Sequence, residues 1–204
     1  MGQQTQANTA AGRRRPSGRT ARTRQRVLAA VATILVDDGY DALTIDAVAQ
    51  RAGVHRTTVY RRWRDTGGLL ADTLHAARDQ SWQPPDTGSL LGDLCAINHQ
   101  VVTALTEQPS LTGALIAASF RSAAAAAALR AFWEDRYARA AVVVTRAVTR
   151  GEATPDAEPR SVLIAATAPL FHELVLIRGP GAADLADRYA RLAAAAAAPH
   201  VAGR

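Results

Sequence analysis

The chain has 204 residues, with 24 arginines and no lysine against 18 acidic residues, for a formal net charge of +6. That length buries a real core without covalent staples, and the single cysteine, Cys95, excludes an intramolecular disulfide and a multi-cysteine zinc site. The basic excess is confined to the first third: residues 1–64 carry 12 Arg and 4 Asp, net +8, whereas residues 65–204 carry 12 Arg and 14 acids, net −2. Such asymmetry fits a polyanion-binding module joined to a near-neutral body.

The first 26 residues are polar and arginine-rich, without the apolar stretch of a secretory leader, so a reducing, cytoplasmic location is expected. Residues 1–19, including Arg13-Arg14-Arg15-Pro16, show no apolar periodicity and are expected to form a disordered arm. From Thr20 the pattern is helical. Val27, Leu28, Val31, Ile34 and Leu35 recur at three- and four-residue spacing as far as Asp37-Asp38-Gly39.

Thr44 then suits an N-cap, with Asp46 in the first turn of a short helix over about 45–51 that Gly53 ends. A second short helix follows over about 56–63 with Val59 and Trp63 inward, and Asp65 suits the cap of a fourth helix over about 67–81. Two short helices joined by a tight glycine turn, with the small Ala49 four positions before Gly53, form a helix-turn-helix pattern. Val48, Val54 and Val59 are its expected shared core. With Val59 and Trp63 inward, Arg56, Thr57, Tyr60 and Arg61 are left outward or sideways. Arginine pairs bidentately with guanine, the threonine methyl meets a thymine methyl, and hydroxyls and guanidinium groups reach phosphates. The cluster reads as a recognition helix for a major groove.

Beyond the breaker Pro84-Pro85-Asp86-Thr87-Gly88 the signals are helical throughout: 90–106, 111–120, an alanine-rich stretch 123–150, 158–178 and 182–198. The longest apolar run, SVLIAATAPLFHELVLI, is interrupted by Pro169, His172 and Glu173 and is short for a bilayer, so it reads as a buried helix and no membrane association is expected. The expected fold class is all-α. No Gly-rich phosphate loop, nucleophile elbow or H-E-x-x-H spacing occurs and the five histidines are scattered, so no enzyme, cofactor or metal site is expected.

The run GYDALTIDAVAQRAGVHRTTVYRRWRDTGGLLADTL, residues 39–74, resembles the DNA-binding domain of the TetR family of transcriptional regulators in its order of Gly-Tyr, Leu-Thr-Ile, Val-Ala, Ala-Gly-Val, Thr-Val-Tyr, Trp and Leu-Leu. The resemblance is strong over about residues 21–75; further on it extends only to helix count and style. It implies an N-terminal helix-turn-helix domain over 20–66, helix four as a link, and a helical domain over 82–204 that binds a small ligand and dimerises.

The resemblance also implies roles for individual residues. Thr44 contacts a phosphate, Arg56 and Thr57 read base edges, Thr58 and Tyr60 grip phosphates, and Arg61 and Arg62 lie near bases or backbone. His55 falls where the family often has a small polar cap, which leaves both capping and base contact open. Thr66 stands where a lysine commonly reaches a phosphate, a loss that Arg64 would offset. The arm arginines, with Arg19 and Arg22, either enter the minor groove or raise non-specific affinity, and the second is favoured.

One short recognition helix reads few base pairs, so specificity calls for two, about 34 Å apart on a near-palindromic duplex operator. The last two helices carry more apolar surface than one buried face needs and are the expected homodimer interface. Candidate ligand-facing groups are the aromatic and polar residues on apolar body helices: Asn98, His99, Thr103, Phe120, Trp133, Tyr137, Phe171 and His172. With no inward cationic cluster visible, a neutral or weakly polar hydrophobic effector is expected. The expected function is a ligand-responsive repressor; the alternative is a constitutive or architectural DNA-binding protein whose body only dimerises.

Overall fold

A computed structural model describes residues 17–78, 82–179 and 184–199, and every regular element among them is helical. The expected arm over 1–16, with Arg13 to Arg15, lies outside the described residues. The first helix, α1 (Ser17–Asp37), begins three residues before the expected start. Its extra turn is polar: Arg22 Nε donates to the Gly18 carbonyl at 3.3 Å and Thr23 Oγ1 to that of Arg19 at 3.0 Å. Hydrophobic periodicity is blind to such a turn.

Helices α2 (Ile45–Ala52) and α3 (Arg56–Trp63) follow the spacing read from the sequence. Thr44 Oγ1 accepts from the Ala47 amide at 3.0 Å and starts α2, and Gly53, at φ 59° and ψ 43°, ends it. A side chain at Gly53 is doubly opposed, by the left-handed backbone and by the Arg26 guanidinium 2.7 Å from where a Cβ would stand. Val48 and Val59 are fully buried, and the half-buried Val54 packs against them. In the turn into α4 (Thr66–Arg78), Asp65 Oδ1 accepts from the Gly68 amide at 2.8 Å. A Cβ on Gly68 would lie 2.3 Å from the Trp63 carbonyl oxygen, so only glycine lets α4 start so close to α3. Of the expected extension of α4 to Ser81, residues 79–81 lie outside the described residues.

Serine caps set the starts of α5 (Leu90–Thr106), α6 (Leu111–Ser119) and α7 (Ala123–Thr149): Ser89, Ser110 and Ser122 accept from the amides of Gly92, Gly113 and Ala125. In α8 (Pro159–Phe171), Glu158 caps through both carboxylate oxygens, and Pro159 occupies the first turn, where its missing N–H is harmless. The expected unbroken helix over 158–178 is corrected. At its C-terminal end α8 changes into a π-helical turn, His172–Leu176, and Arg178 takes a positive φ of 56°. Pro169 lies just upstream and removes one intrahelical donor, a local reason for the helix to change pitch there. The last helix is α9 (Leu185–Ala197).

Two hydrophobic cores result. One joins α1–α4 to α6 and the start of α7 through Ile34, Val59, Leu69, Leu70, Leu115 and Ala125. The other joins α5, the end of α7, α8 and α9 through Leu94, Val143, Val144, Leu163 and Ala190. Helix α7 therefore runs through both, and α4 packs along it. Asn98 fastens the second core: fully buried, its Nδ2 donates to the Ala166 carbonyl of α8 at 3.0 Å and the Ala186 carbonyl of α9 at 2.9 Å. Among the described residues no helix is long and apolar enough to cross a membrane.

Candidate functional site

On α3 the burial of Val59 and Trp63 fixes the helix rotation, and Arg56, Thr57, Tyr60, Arg61 and Arg62 stand exposed. Tyr60 is 60% exposed, unusual for an aromatic side chain with no partner to cover it. Arg56 Nε lies 3.0 Å from Asp46 Oδ1, but both side chains are about two-thirds exposed (67% and 65%), so this pair holds the guanidinium loosely and yields readily to a stronger acceptor. Thr44 is exposed; its oxygen accepts from Ala47 while its hydroxyl proton stays available for a phosphate.

His55 stands at the N-cap position of α3 without a side-chain cap bond; its Nδ1 lies 2.9 Å from Thr57 Oγ1 instead, which ties two of the outward groups together. Thr58 is half-buried in a groove between α1 and α3, shared with Arg19, Thr23 and Arg61. The first turns of α1 thus adjoin the recognition face, bringing in Arg19 and Thr23. Arg19 is expected near DNA together with the arm; Thr23 is missed in the sequence, where its signal is the polar turn ahead of Val27. Arg64 is exposed in the α3–α4 turn at φ 62°, and Arg62 lies over the Trp63 ring at 5.2 Å.

A carboxylate on α4 holds this face in place. Asp72 accepts from Arg24 of α1 (Nη2 at 2.7 Å, Nε at 3.0 Å) and from Trp63 Nε1 of α3 at 2.9 Å. Burial alone would raise its pKa, but the hydrogen bonds from Arg24 and Trp63 and the charges of Arg24 and Arg62 outweigh it and hold the carboxyl below its ordinary value. Asp72 thus ties α4 to both α1 and α3.

A cavity of about 200 Å³ lies between α5, α7 and α8, where α7 passes from one core to the other. Trp133, Tyr137 and Phe171 form part of its wall; the Trp133 and Phe171 rings meet edge to face at 5.1 Å. The other candidate ligand residues do not line this cavity. Asn98 turns its Nδ2 to the α8 and α9 carbonyls, with its buried Oδ1 left without a partner among the described residues, and His99 pairs with Asp187 at 2.9 Å. Thr103 and His172 are exposed, and Phe120 is 79% exposed at the end of α6. The cavity face of α5 instead presents Ile97, Gln100, Val101 and Ala104, a helical spacing that leaves positions 98, 99 and 103 off the face.

The sequence shows no inward cationic cluster, and the cavity carries a single cation among the described residues. Arg136 lines the cavity, with its guanidinium 4.5 Å from the Trp82 ring and 5.2 Å from the Phe132 ring. Burial, then the neighbouring Arg139 charge, press its pKa below the usual arginine value against the pull of Asp135, yet an arginine stays cationic in neutral solution. Trp82 Nε1 donates to Gln100 Oε1 at 2.7 Å, which ties the segment ahead of α5 to the cavity. Among the described residues no group of three or more His, Cys, Asp or Glu could hold a metal.

Comparison with known proteins places both halves. Residues 27–73 match the family model of bacterial regulatory proteins, tetR family, and residues 84–193 match that of the tetracyclin repressor-like C-terminal domain. The chain is 35% identical over 159 residues to the DNA-binding transcriptional repressor TetR of Mycobacteroides abscessus, covering 76% of this chain and 83% of that one. It is 34% identical over 149 residues to the HTH-type transcriptional regulator AqdR of Rhodococcus erythropolis, covering 72% and 71%. Among solved structures, the TetR family transcription regulator SCO0332 superposes with a TM-score of 0.66 at 28% identity, over 87% of this chain and 99% of that one. The SmeT–triclosan complex shares the fold with a TM-score of 0.60 at 18% identity, over 89% and 94%. With its helix-turn-helix, its helical body and these matches, the chain belongs to the TetR family of DNA-binding transcriptional regulators.

Proposed function

We propose that this regulator is a homodimeric repressor that binds a near-palindromic operator through paired α3 helices and releases it when a small molecule enters the cavity beside α7. The observation that carries this reading is the position of the cavity. It lies where α7 leaves the core shared with the DNA-binding helices, and α4, packed along the same α7, holds α1 and α3 through Asp72. A ligand that favours one packing of α7 also favours one position of α4, and with it one separation of the two recognition helices. Arg56 and Thr57 would read base edges, Thr44, Thr58 and Tyr60 would hold phosphates, and Arg61, Arg62 and Arg64 would add charge along the backbone.

Pairing is supported by apolar surface left over on the last helices: Leu176 is 70% and Leu192 60% exposed, and Ala165, Ala168 and Ala196 are exposed as well. A symmetric partner covers such a face with the same face. The repressor of Mycobacteroides abscessus and the triclosan complex of SmeT lend support by family and by fold to repression and to the binding of a small molecule. The test is selection of bound duplexes from a random pool at near-physiological salt. An enriched inverted repeat is the expected outcome; binding without a motif, fading as salt rises, would favour an architectural protein instead.

A further inference from the structure

The cavity lining is mostly apolar and aromatic, with Gln100, Thr112 and Thr167 as neutral polar members, and its single charged member among the described residues is Arg136. Nearby carboxylates are already engaged: Asp135 with Arg139, one turn along α7, and Glu134 with Arg160 at 2.8 Å. Among the described residues no acceptor takes a hydrogen bond from Arg136; two aromatic faces, Trp82 and Phe132, hold it. A guanidinium resting against rings keeps the N–H donors in its own plane available, and those donors match a carboxylate bidentately.

We propose that the cavity takes an apolar organic anion, a compact hydrocarbon body bearing a carboxylate, and that Arg136 is the residue that pairs with the carboxylate. This rests on the reading of the cavity as the effector site and names the class of effector. A hydrocarbon ligand in the same place strips water from Arg136 and returns no acceptor, and a neutral carbonyl returns one uncharged acceptor, whereas a carboxylate supplies a charge and two oxygens that match the guanidinium. The volume of about 200 Å³ accommodates a one- or two-ring acid or a medium-chain acid. The position of Arg136 also links recognition to release. Trp82, its closer ring, lies four residues beyond the end of α4 and hydrogen-bonds Gln100 of the cavity wall. A carboxylate that draws Arg136 toward itself loosens its hold on Trp82, which gains freedom to move.

The test is calorimetric titration of the full chain with apolar carboxylates, each paired with its primary amide: naphthalene-2-carboxylate with naphthalene-2-carboxamide, and decanoate with decanamide. Wild type and Arg136→Met are compared, and DNA affinity is followed in parallel. The expected result is that at least one acid binds wild type about tenfold or more tighter than its amide, and that Arg136→Met brings the acid down to the amide's level. Amides binding as tightly as their acids, or an acid preference that survives in Arg136→Met, would overturn the inference. The acid-to-amide ratio in wild type decides the matter even if the variant does not fold. Amides that bind equally well and release DNA sink the anion while sparing the effector reading. An acid preference with no change in DNA affinity keeps the anion and sinks ligand-controlled repression. Failure of every pair to bind overturns both.

Discussion

Between α1 and α4 the buried space is filled by interlocking branched side chains: Val27, Val31, Ile34, Val48, Val59, Leu69 and Leu70 are all at most 1% exposed. In the core of α5, α7, α8 and α9, by contrast, half of the buried positions among the described residues are alanine, including Ala140, Ala147, Ala166, Ala190 and Ala193. Branched residues that interdigitate fix one arrangement of short helices, which a reading head needs to present Arg56 and Thr57 in constant register. Alanine contacts bring backbones close and offer little to interlock, so neighbouring helices can slide in small steps. Where the two packings meet along α7, neither fills the space, and the aromatic residues Phe132, Trp133 and Tyr137 surround the cavity.

That contrast breaks if truncation hurts the head no more than enlargement hurts the body. Leu70→Ala removes a fully buried head side chain and is expected to lower the unfolding free energy by about 2–5 kcal/mol in urea denaturation. Asp72→Asn, which weakens the bonds to Arg24 and Trp63, is expected to lose roughly 1.5–3 kcal/mol at neutral pH. The Asp72 pKa is lower folded than unfolded, where it sits near the ordinary 3.8. Its contribution is therefore complete above that value and is lost as the pH falls through the folded pKa. Acid titration of stability should show a destabilising limb there in wild type that is reduced in Asp72→Asn.

On the body side, Ala166→Leu inserts bulk where α8 meets α5 and is expected to destabilise by about 1–3 kcal/mol, less than Leu70→Ala. A larger loss than that of Leu70→Ala would mean that the alanine core is the more tightly specified of the two. The smallest effect on folding is expected from Arg61→Ala, on the exposed face of α3. Its thermal midpoint should match wild type while DNA affinity falls about tenfold and the salt slope drops by about one, as read by fluorescence anisotropy.

The head was the more legible half because its signals are local. Thr44 caps α2, Gly53 ends it in the left-handed region, and the spacing of Val59 and Trp63 alone sets which residues of α3 face out. The starts expected for α5, α6 and α7 also match, and the serines that cap them are a local signal that the reading of apolar periodicity did not use. The cavity was hard to read because its membership is decided by which face of α5 meets α7, a matter of tertiary packing. Asn98 carries the polar chemistry expected of a ligand contact but points to α8 and α9, and His99 turns to Asp187. Arg136 went unnoticed although it stands four residues after Phe132 and three after Trp133, spacings that place all three near one side of α7. The π-helical turn after Phe171 had a clue in Pro169, but one proline does not say whether a helix stops, kinks or changes pitch.

The central claim is coupling between cavity and recognition helices, and the most direct measurement is a complete thermodynamic cycle. Operator affinity is titrated with and without a cavity-binding acid such as naphthalene-2-carboxylate, and affinity for the acid is titrated with and without operator. Coupling through α7 and α4 predicts that each ligand weakens the other by one and the same factor, on the order of 5–150-fold. A ternary complex in which both affinities are unchanged would contradict it.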